Sequence, residues 1–358
     1  MIMRLGVLAA VVVAAVLLAG SVQQVGAESA SFAGGYGPAW SPDGTQIAYV
    51  GPLPNELSHP IKPGFDSVLV VSADGSGAPR VVVTAPRQET LGGSTINEVR
   101  WAAGDRLVYQ DSFSLYSSTG HASAHLGAIG SVGGDAFALS RDGRQVAFTA
   151  HCGCNVQQGT DVQFVAATGG VDRVLPHPKG TLDSYPSFSP DGRNVVFTRT
   201  FLNSKAGPPF ATDLIEVAGV HSGAARSLGV NGYDPVFSPD GRWVAFIGRD
   251  GLEIVAANGG KARTLLPGGR CCNFGAVYSW SPDSQTLAYE SGSHAGTISR
   301  SGSKFVFPLP GLRPDGHTPQ WSPDGKTIAF SAIRNRDGEF GEGIYLINAD
   351  GSGLRRLE

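Results

Sequence analysis

The chain has 358 residues and a formal net charge of -3, with 41% apolar side chains, 16% charged side chains and 50 glycines. Its apolar content can supply a core, which excludes a disordered tail, and a slightly acidic balance without Lys/Arg blocks leaves no footprint for nucleic acid. The glycines are roughly twice the usual share but keep no three-residue period, which excludes collagen.

In chain order, Met1 to Arg4 carry one positive charge, Leu5 to Gly20 carry none, and Val25-Gly26-Ala27 supply small residues before Glu28. This is the pattern of a secretory signal peptide, expected to be cleaved after residue 27. The apolar run is shorter than the roughly 20 residues a membrane span needs. Ser21 stands where a lipid-anchored protein would carry cysteine. The mature chain, residues 28–358, is therefore expected as one domain, secreted or held in the periplasm or cell envelope, with no membrane insertion once the signal is gone.

A repeat follows. Pro38-Ala39-Trp40-Ser41-Pro42-Asp43-Gly44, then Gln46-Ile47-Ala48-Tyr49, returns at Pro186 to Phe197, Pro235 to Phe246 and Pro319 to Phe330. Weaker copies lie at Val99 to Tyr109, Phe137 to Phe148 and Tyr278 to Tyr289, so that units begin near 38, 99, 137, 186, 235, 278 and 319. Ser-Pro-Asp-Gly joins two antiparallel strands, because Pro presets one turn angle, Asp bonds nearby backbone and Gly accepts the next angle. The second half of each unit is most legible as Val68 to Val71, Ala73-Asp74-Gly75-Ser76 and Arg80 to Val83, a further Asp-Gly hairpin. Each unit thus predicts four short strands whose two apolar faces need neighbours, and a ring of such units covers them all. The fold class is all-β: a seven-bladed β-propeller of four-stranded antiparallel blades, with six blades as the alternative count. All four strands of the last blade are expected from the carboxyl end, with an overlapping closure by Ser31 to Tyr36 as the alternative.

These residues resemble the TolB-type β-propeller repeat: a Trp-Ser-Pro-Asp-Gly turn, an Ile-Ala-Tyr/Phe strand, then a strand ending in Ala-Asp-Gly and an Arg-x-Leu strand. The resemblance spans about Ala33 to Glu358. It implies architecture rather than activity, since that repeat serves binding proteins and also the propeller half of prolyl-oligopeptidase-like enzymes. TolB itself has six such blades and a separate amino-terminal domain, whereas this chain carries seven units.

Function is expected on the face opposite the Ser-Pro-Asp-Gly turns, where the longer connections fall: Gly51 to Phe65, Ala150 to Gly159, Thr200 to Ala211, Pro267 to Gly275 and Ile333 to Gly343. Tyr36, Glu98, Asp135, Asp183, Tyr185, Asp234 and His317 precede or open the innermost strands and are the candidate ligand-binding residues of the channel mouth. No cofactor motif is present. A divalent cation or a cationic ligand is what the four carboxylates among them would accept, and capping of loop backbone is their other role. The turn aspartates recur once per unit and are structural. Cys152, Cys154, Cys271 and Cys272 in an exported chain point to disulfides, in any of three pairings, with a His151/Cys metal site as the sharper alternative. Two functions fit. One is a non-catalytic scaffold binding an envelope or extracellular protein, a peptide or a glycan. The other is a metal-assisted lactonase- or esterase-like hydrolase at the channel mouth, with Glu98, Asp135, Asp183, Asp234 and His317 as its candidates. A prolyl-oligopeptidase would need an α/β domain with a G-x-S-x-G elbow, which the chain lacks.

Overall fold

The computed structural model describes residues 35–52, 65–86, 96–111, 114–120, 122–129, 137–151, 160–171, 173–201, 213–268, 277–336 and 339–357. Residues 1–27, expected to be a signal peptide, Asp135 and the four cysteines lie outside the described residues.

Every regular element among the described residues is a strand. The first sheet is β1 (Tyr36–Trp40), β2 (Gln46–Pro52), β3 (Phe65–Ser72) and β4 (Arg80–Pro86); the second is β5 (Ile96–Ala102), β6 (Arg106–Asp111), β7 (Ser114–Ser118) and β8 (Ser123–Ala128). The third is β9 (Phe137–Leu139), β10 (Gln145–His151), β11 (Thr160–Ala166) and β12 (Arg173–Val174). A longer sheet follows: β13 (Thr181–Phe188), β14 (Asn194–Phe201), β15 (Asp213–Gly219), β16 (Ala225–Phe237), β17 (Trp243–Gly248), β18 (Gly251–Ala256) and β19 (Arg263–Pro267). Next come β20 (Val277–Trp280), β21 (Thr286–Ser291), β22 (His294–Ser299) and β23 (Lys304–Val306). The last sheet holds β24 (Leu312–Pro314), β25 (Gln320–Trp321), β26 (Thr327–Arg336), β27 (Glu339–Asn348) and β28 (Arg355–Arg356), with β24 and β25 both pairing β26. Neighbouring strands are antiparallel, as the hairpin reading required. Ile333 to Gly343, expected as a loop, instead continues the β26–β27 ladder out to Arg336↔Glu339.

The sheets pack face to face around a ring. Val50 and Val70 of the first sheet meet Ile96 and Tyr109 of the second. Val108 and Leu126 meet Phe148 and Val165 of the third, whose Phe164 and Val162 meet Phe188 and Phe197. Within the long sheet, Ile215 and Val230 on one half pack against Phe246 and Val255 on the other. Ile254 then meets Tyr278 and Leu287, and Ala288 and Phe307 meet Phe330 and Tyr345. The ring closes where Ile344, Leu346 and Leu357 of the last sheet cover Ile47, Tyr49 and Leu69 of the first. The last sheet is built wholly from the carboxyl end. The second strand of each unit carries one aromatic side chain into these seams: Tyr49, Tyr109, Phe148, Phe197, Phe246, Tyr289 and Phe330 are all 4% exposed or less. Truncating any one would cost about 3–5 kcal/mol.

The repeated turn explains its own sequence. Ser41 Oγ donates to Asp43 Oδ1 at 2.6 Å and accepts from Gln46 N at 2.9 Å, while Gly44 N donates to Ser41 O at 2.9 Å. The same Ser-Asp bond recurs at Ser140/Asp142, Ser189/Asp191, Ser238/Asp240, Ser281/Asp283 and Ser322/Asp324. The turn aspartates are therefore turn formers. The tryptophans that precede these turns tie each unit to the one before. Trp40, Trp101, Trp280 and Trp321 donate their indole N–H to the carbonyls of Gln320, Ala39, Val236 and Ser279.

Candidate functional site

The site lies on the innermost strands, at the end remote from the Ser-Pro-Asp-Gly turns. There the sequence places Pro38, Pro186, Pro235 and Pro319, and proline has no N–H to give to a ladder. Register accordingly breaks between Tyr36 and Ala39, Ser184 and Ser187, and Tyr233 and Val236. The residue before the proline turns left-handed at Gly37 (φ 60), Tyr185 (φ 54) and Asp234 (φ 55). For Tyr185 and Asp234, which carry a Cβ, such a backbone costs about 1–3 kcal/mol each. In the last sheet the interruption is longer, and Asp315 to Pro319 separates β24 from β25. These bulges lift side chains out of the ladder.

Tyr36, His317, Asp315 and Glu290 form one cluster. Tyr36 and His317 stack at 4.8 Å between ring centroids, and the Tyr36 hydroxyl donates to Ile96 O at 2.6 Å. Behind them His317 Nδ1 is 3.0 Å from Asp315 Oδ1, which also accepts from Ser331 Oγ at 2.8 Å and from His317 N at 3.2 Å. Burial would raise the Asp315 pKa, but His317 and Ser331 outweigh it and hold the carboxyl below its ordinary range. Burial would likewise lower His317, yet Asp315, with Glu342 and Glu98 further off, holds the imidazole above its ordinary value. Glu290 on β21 is 2% exposed and accepts from Gly316 N at 3.1 Å. Burial first, and then the charge of Asp315, push its pKa well above the carboxylate range. Nearby, Glu98 pairs with Arg100 at 2.5 Å.

A second cluster, on β13 to β15, is a buried charge network. Asp183 is 0% exposed and accepts from Arg199 Nε at 2.7 Å and Nη2 at 2.6 Å, while Arg199 Nη1 donates to Glu216 Oε2 at 2.6 Å. Two carboxylates share one guanidinium, which also lies over the Phe197 ring. Burial pushes both carboxylates up and Arg199 pulls against it; Arg199, which burial would lower, is held up by Asp183 and Glu216. His177 Nε2 and Asp161 Oδ1 pair 2.5 Å apart at its edge. Tyr185 and Tyr233 lie with ring centroids 6.4 Å apart, and Asp234 O accepts from the Tyr278 hydroxyl.

Of the expected mouth residues, the structure thus stacks Tyr36 on His317, ties Glu98 to Arg100, seals Asp183 under Arg199, and sets Tyr185 beside Tyr233. Asp135 lies outside the described residues. Among the described residues, no three His, Cys, Asp or Glu side chains gather closely enough to hold a metal ion. Sequence reading missed Glu290, Asp315, Arg199, Glu216 and Tyr233. The register of the repeat held the signal for some of them. The position after the buried aromatic of each second strand is Val50, Gln110, Thr149, Thr198, Ile247, Glu290 and Ser331, and an acid there stands out in a strand covered on both faces.

No protein-family model and no curated protein matches the chain. Among solved structures it is similar to a puromycin-hydrolysing peptidase of Mycobacterium tuberculosis, at 16% identity over 92% of this chain and 54% of that one, with a TM-score of 0.61. It is also similar to an oligogalacturonate lyase in complex with manganese, at 12% identity over 88% of this chain and 89% of that one, with a TM-score of 0.58. The putative TolB of Agrobacterium tumefaciens matches at 17% identity over 78% of this chain and 84% of that one, with a TM-score of 0.44. At such identities the likeness is one of fold. The repeated turn, the four-stranded antiparallel sheets and the closed ring make the architecture a β-propeller.

Proposed function

We propose that the chain is an exported, non-catalytic seven-bladed propeller that binds an envelope or extracellular protein, a peptide or a glycan at its channel mouth. The count of seven is supported by β16, whose first half pairs β15 and whose second half pairs β17, so that the long sheet reads as two blades. Export rests on the residue 1–27 pattern; no helix among the described residues is long and apolar enough to cross a membrane.

The observation that carries the binding reading is the pairing of rings at the mouth, Tyr36 with His317 and Tyr185 with Tyr233. Half-buried aromatic rings held on rigid strands offer large contact area at small entropic cost, which suits a peptide or the face of a sugar ring. A metal-assisted hydrolase at the mouth would need several ligand groups directed at one point, whereas binding needs only these surfaces. The test is a glycan and peptide array probed with residues 28–358, beside Tyr36→Ala and Tyr233→Ala variants. Each variant is expected to lose about fivefold to thirtyfold in affinity for whatever the parent retains. Retention of full affinity by both variants, or turnover of a retained compound, would overturn this reading.

A further inference from the structure

Glu290 and Asp315 present a matched pair of unsatisfied atoms. Glu290 Oε1 and Asp315 Oδ2 are both sealed from solvent and have no hydrogen-bond partner. Their other oxygens are taken, Glu290 Oε2 by Gly316 N, and Asp315 Oδ1 by Ser331 Oγ and His317 N. Two buried carboxylate oxygens left bare carry a desolvation penalty. A proton on Glu290 removes the charge that makes its burial beside Asp315 costly. The negative charge of Asp315 favours the neutral form of Glu290 in the same direction.

We propose that Glu290, Asp315 and His317 form a proton-binding site whose occupancy sets the conformation of the Asp315–His317 segment and, through His317, of the ring it stacks on. The charged group facing Glu290 is Asp315; those facing His317 are Asp315 from its own segment, Glu342 from β27 and Glu98 from β5. With the proton bound, Glu290 is neutral, Asp315 is a carboxylate, and His317 as imidazolium is its counter-ion. When the proton leaves to solvent, Glu290 becomes a second buried carboxylate against one cation. The segment then gains by swinging outward into water, which breaks the Gly316–Glu290 bond and the Tyr36–His317 stack.

The direction follows from the two raised groups. Glu290 titrates above its ordinary 4.5 and His317 above its ordinary 6.5, so each contributes stability that is complete below that ordinary value and is lost as pH rises through the folded value. Asp315, held below 3.8, contributes stability that is lost only as pH falls through its own lower value. The segment is therefore docked at mildly acidic pH and released as pH rises past the His317 and Glu290 transitions.

The site needs no mouth ligand, so its test is independent of the function proposed above. Infrared spectroscopy of residues 28–358 should show a protonated-carboxyl carbonyl band at neutral pH that Glu290→Gln removes. Hydrogen–deuterium exchange of peptides covering residues 309–318, corrected for the intrinsic chemical rate, should rise about tenfold from mildly acid to alkaline pH in the parent and stay nearly flat in Glu290→Gln. Asp315→Asn, which removes the counter-ion of His317, should exchange fast throughout. If Glu290→Gln does not fold, the parent decides alone. A missing carboxyl band at neutral pH, or exchange that is flat across the range, overturns the proposal.

Discussion

Replacing Arg199 by Met tests whether the charge network beside Asp183 holds the ring together. The guanidinium side chain is 5% exposed and makes three short bonds, two to Asp183, itself 0% exposed, and one to Glu216, whose side chain is 11% exposed. Met fills similar volume over the Phe197 ring but satisfies neither carboxylate. Breaking a buried pair by removing one partner costs about 3–5 kcal/mol, because the remaining charge stays desolvated. The loss is pH-dependent, and its sign can be worked out. Both carboxyls already have folded pKa values above their ordinary ones through burial, and removing Arg199 raises them further. A carboxyl raised in the folded state contributes stability that is complete below its unfolded pKa and is lost as pH rises through the folded one. Arg199→Met should therefore lose about 3–5 kcal/mol at neutral pH and distinctly less near the ordinary carboxylate pKa, where both groups enter the fold neutral. Guanidinium unfolding at the two pH values, followed by tryptophan fluorescence and circular dichroism, measures both numbers. The triple variant Asp183→Leu, Arg199→Met, Glu216→Leu removes all three charges and should recover most of the loss. Equal losses at the two pH values, or a loss below about 1 kcal/mol at neutral pH, would refute the argument that the network is sealed from water.

Two further outcomes follow from the turns. Ser189→Ala removes the hydroxyl that donates to Asp191 Oδ1 at 2.6 Å and accepts from Asn194 N at 2.9 Å, and it should cost about 1–2 kcal/mol by denaturant unfolding. Gly143→Ala and Gly192→Ala have the same backbone demand, φ 66 and φ 69, but only at Gly143 would the new Cβ meet backbone, at 2.5 Å from Ala103 N. Gly192→Ala should cost about 1–2 kcal/mol, while Gly143→Ala adds a clash between neighbouring sheets and should lower the melting temperature distinctly more. Equal melting shifts would mean that the seam at Gly143 opens freely.

The fold was legible because the repeat encodes its own hairpins. The Ser41–Asp43 bond recurs in five further copies, and Tyr49, Phe148, Phe197 and their counterparts enter the seams in register. A local signal read several times predicts antiparallel neighbours and their spacing without knowledge of tertiary contacts. The mouth was only half legible, because its chemistry joins residues whose separation in sequence carries no motif. Tyr36 and His317 are 281 positions apart and meet only because the last sheet closes on the first. Asp183 looked like a rim carboxylate, but the positive charge that seals it comes from the neighbouring strand β14, at a position where other units carry Gly51, Ala150 or Ala332. Glu290 stands out as an acid on a second strand, but the sequence around it gives no sign of what neutralises it. A propeller repeat tolerates an acid there only if something neutralises it. In one seam that is Arg199 between Asp183 and Glu216, and in the other it is a proton with no side chain of its own. The sequence therefore displays the first solution as a nearby arginine, whereas the second appears only when the unsatisfied oxygens of Glu290 and Asp315 are seen together in the folded ring.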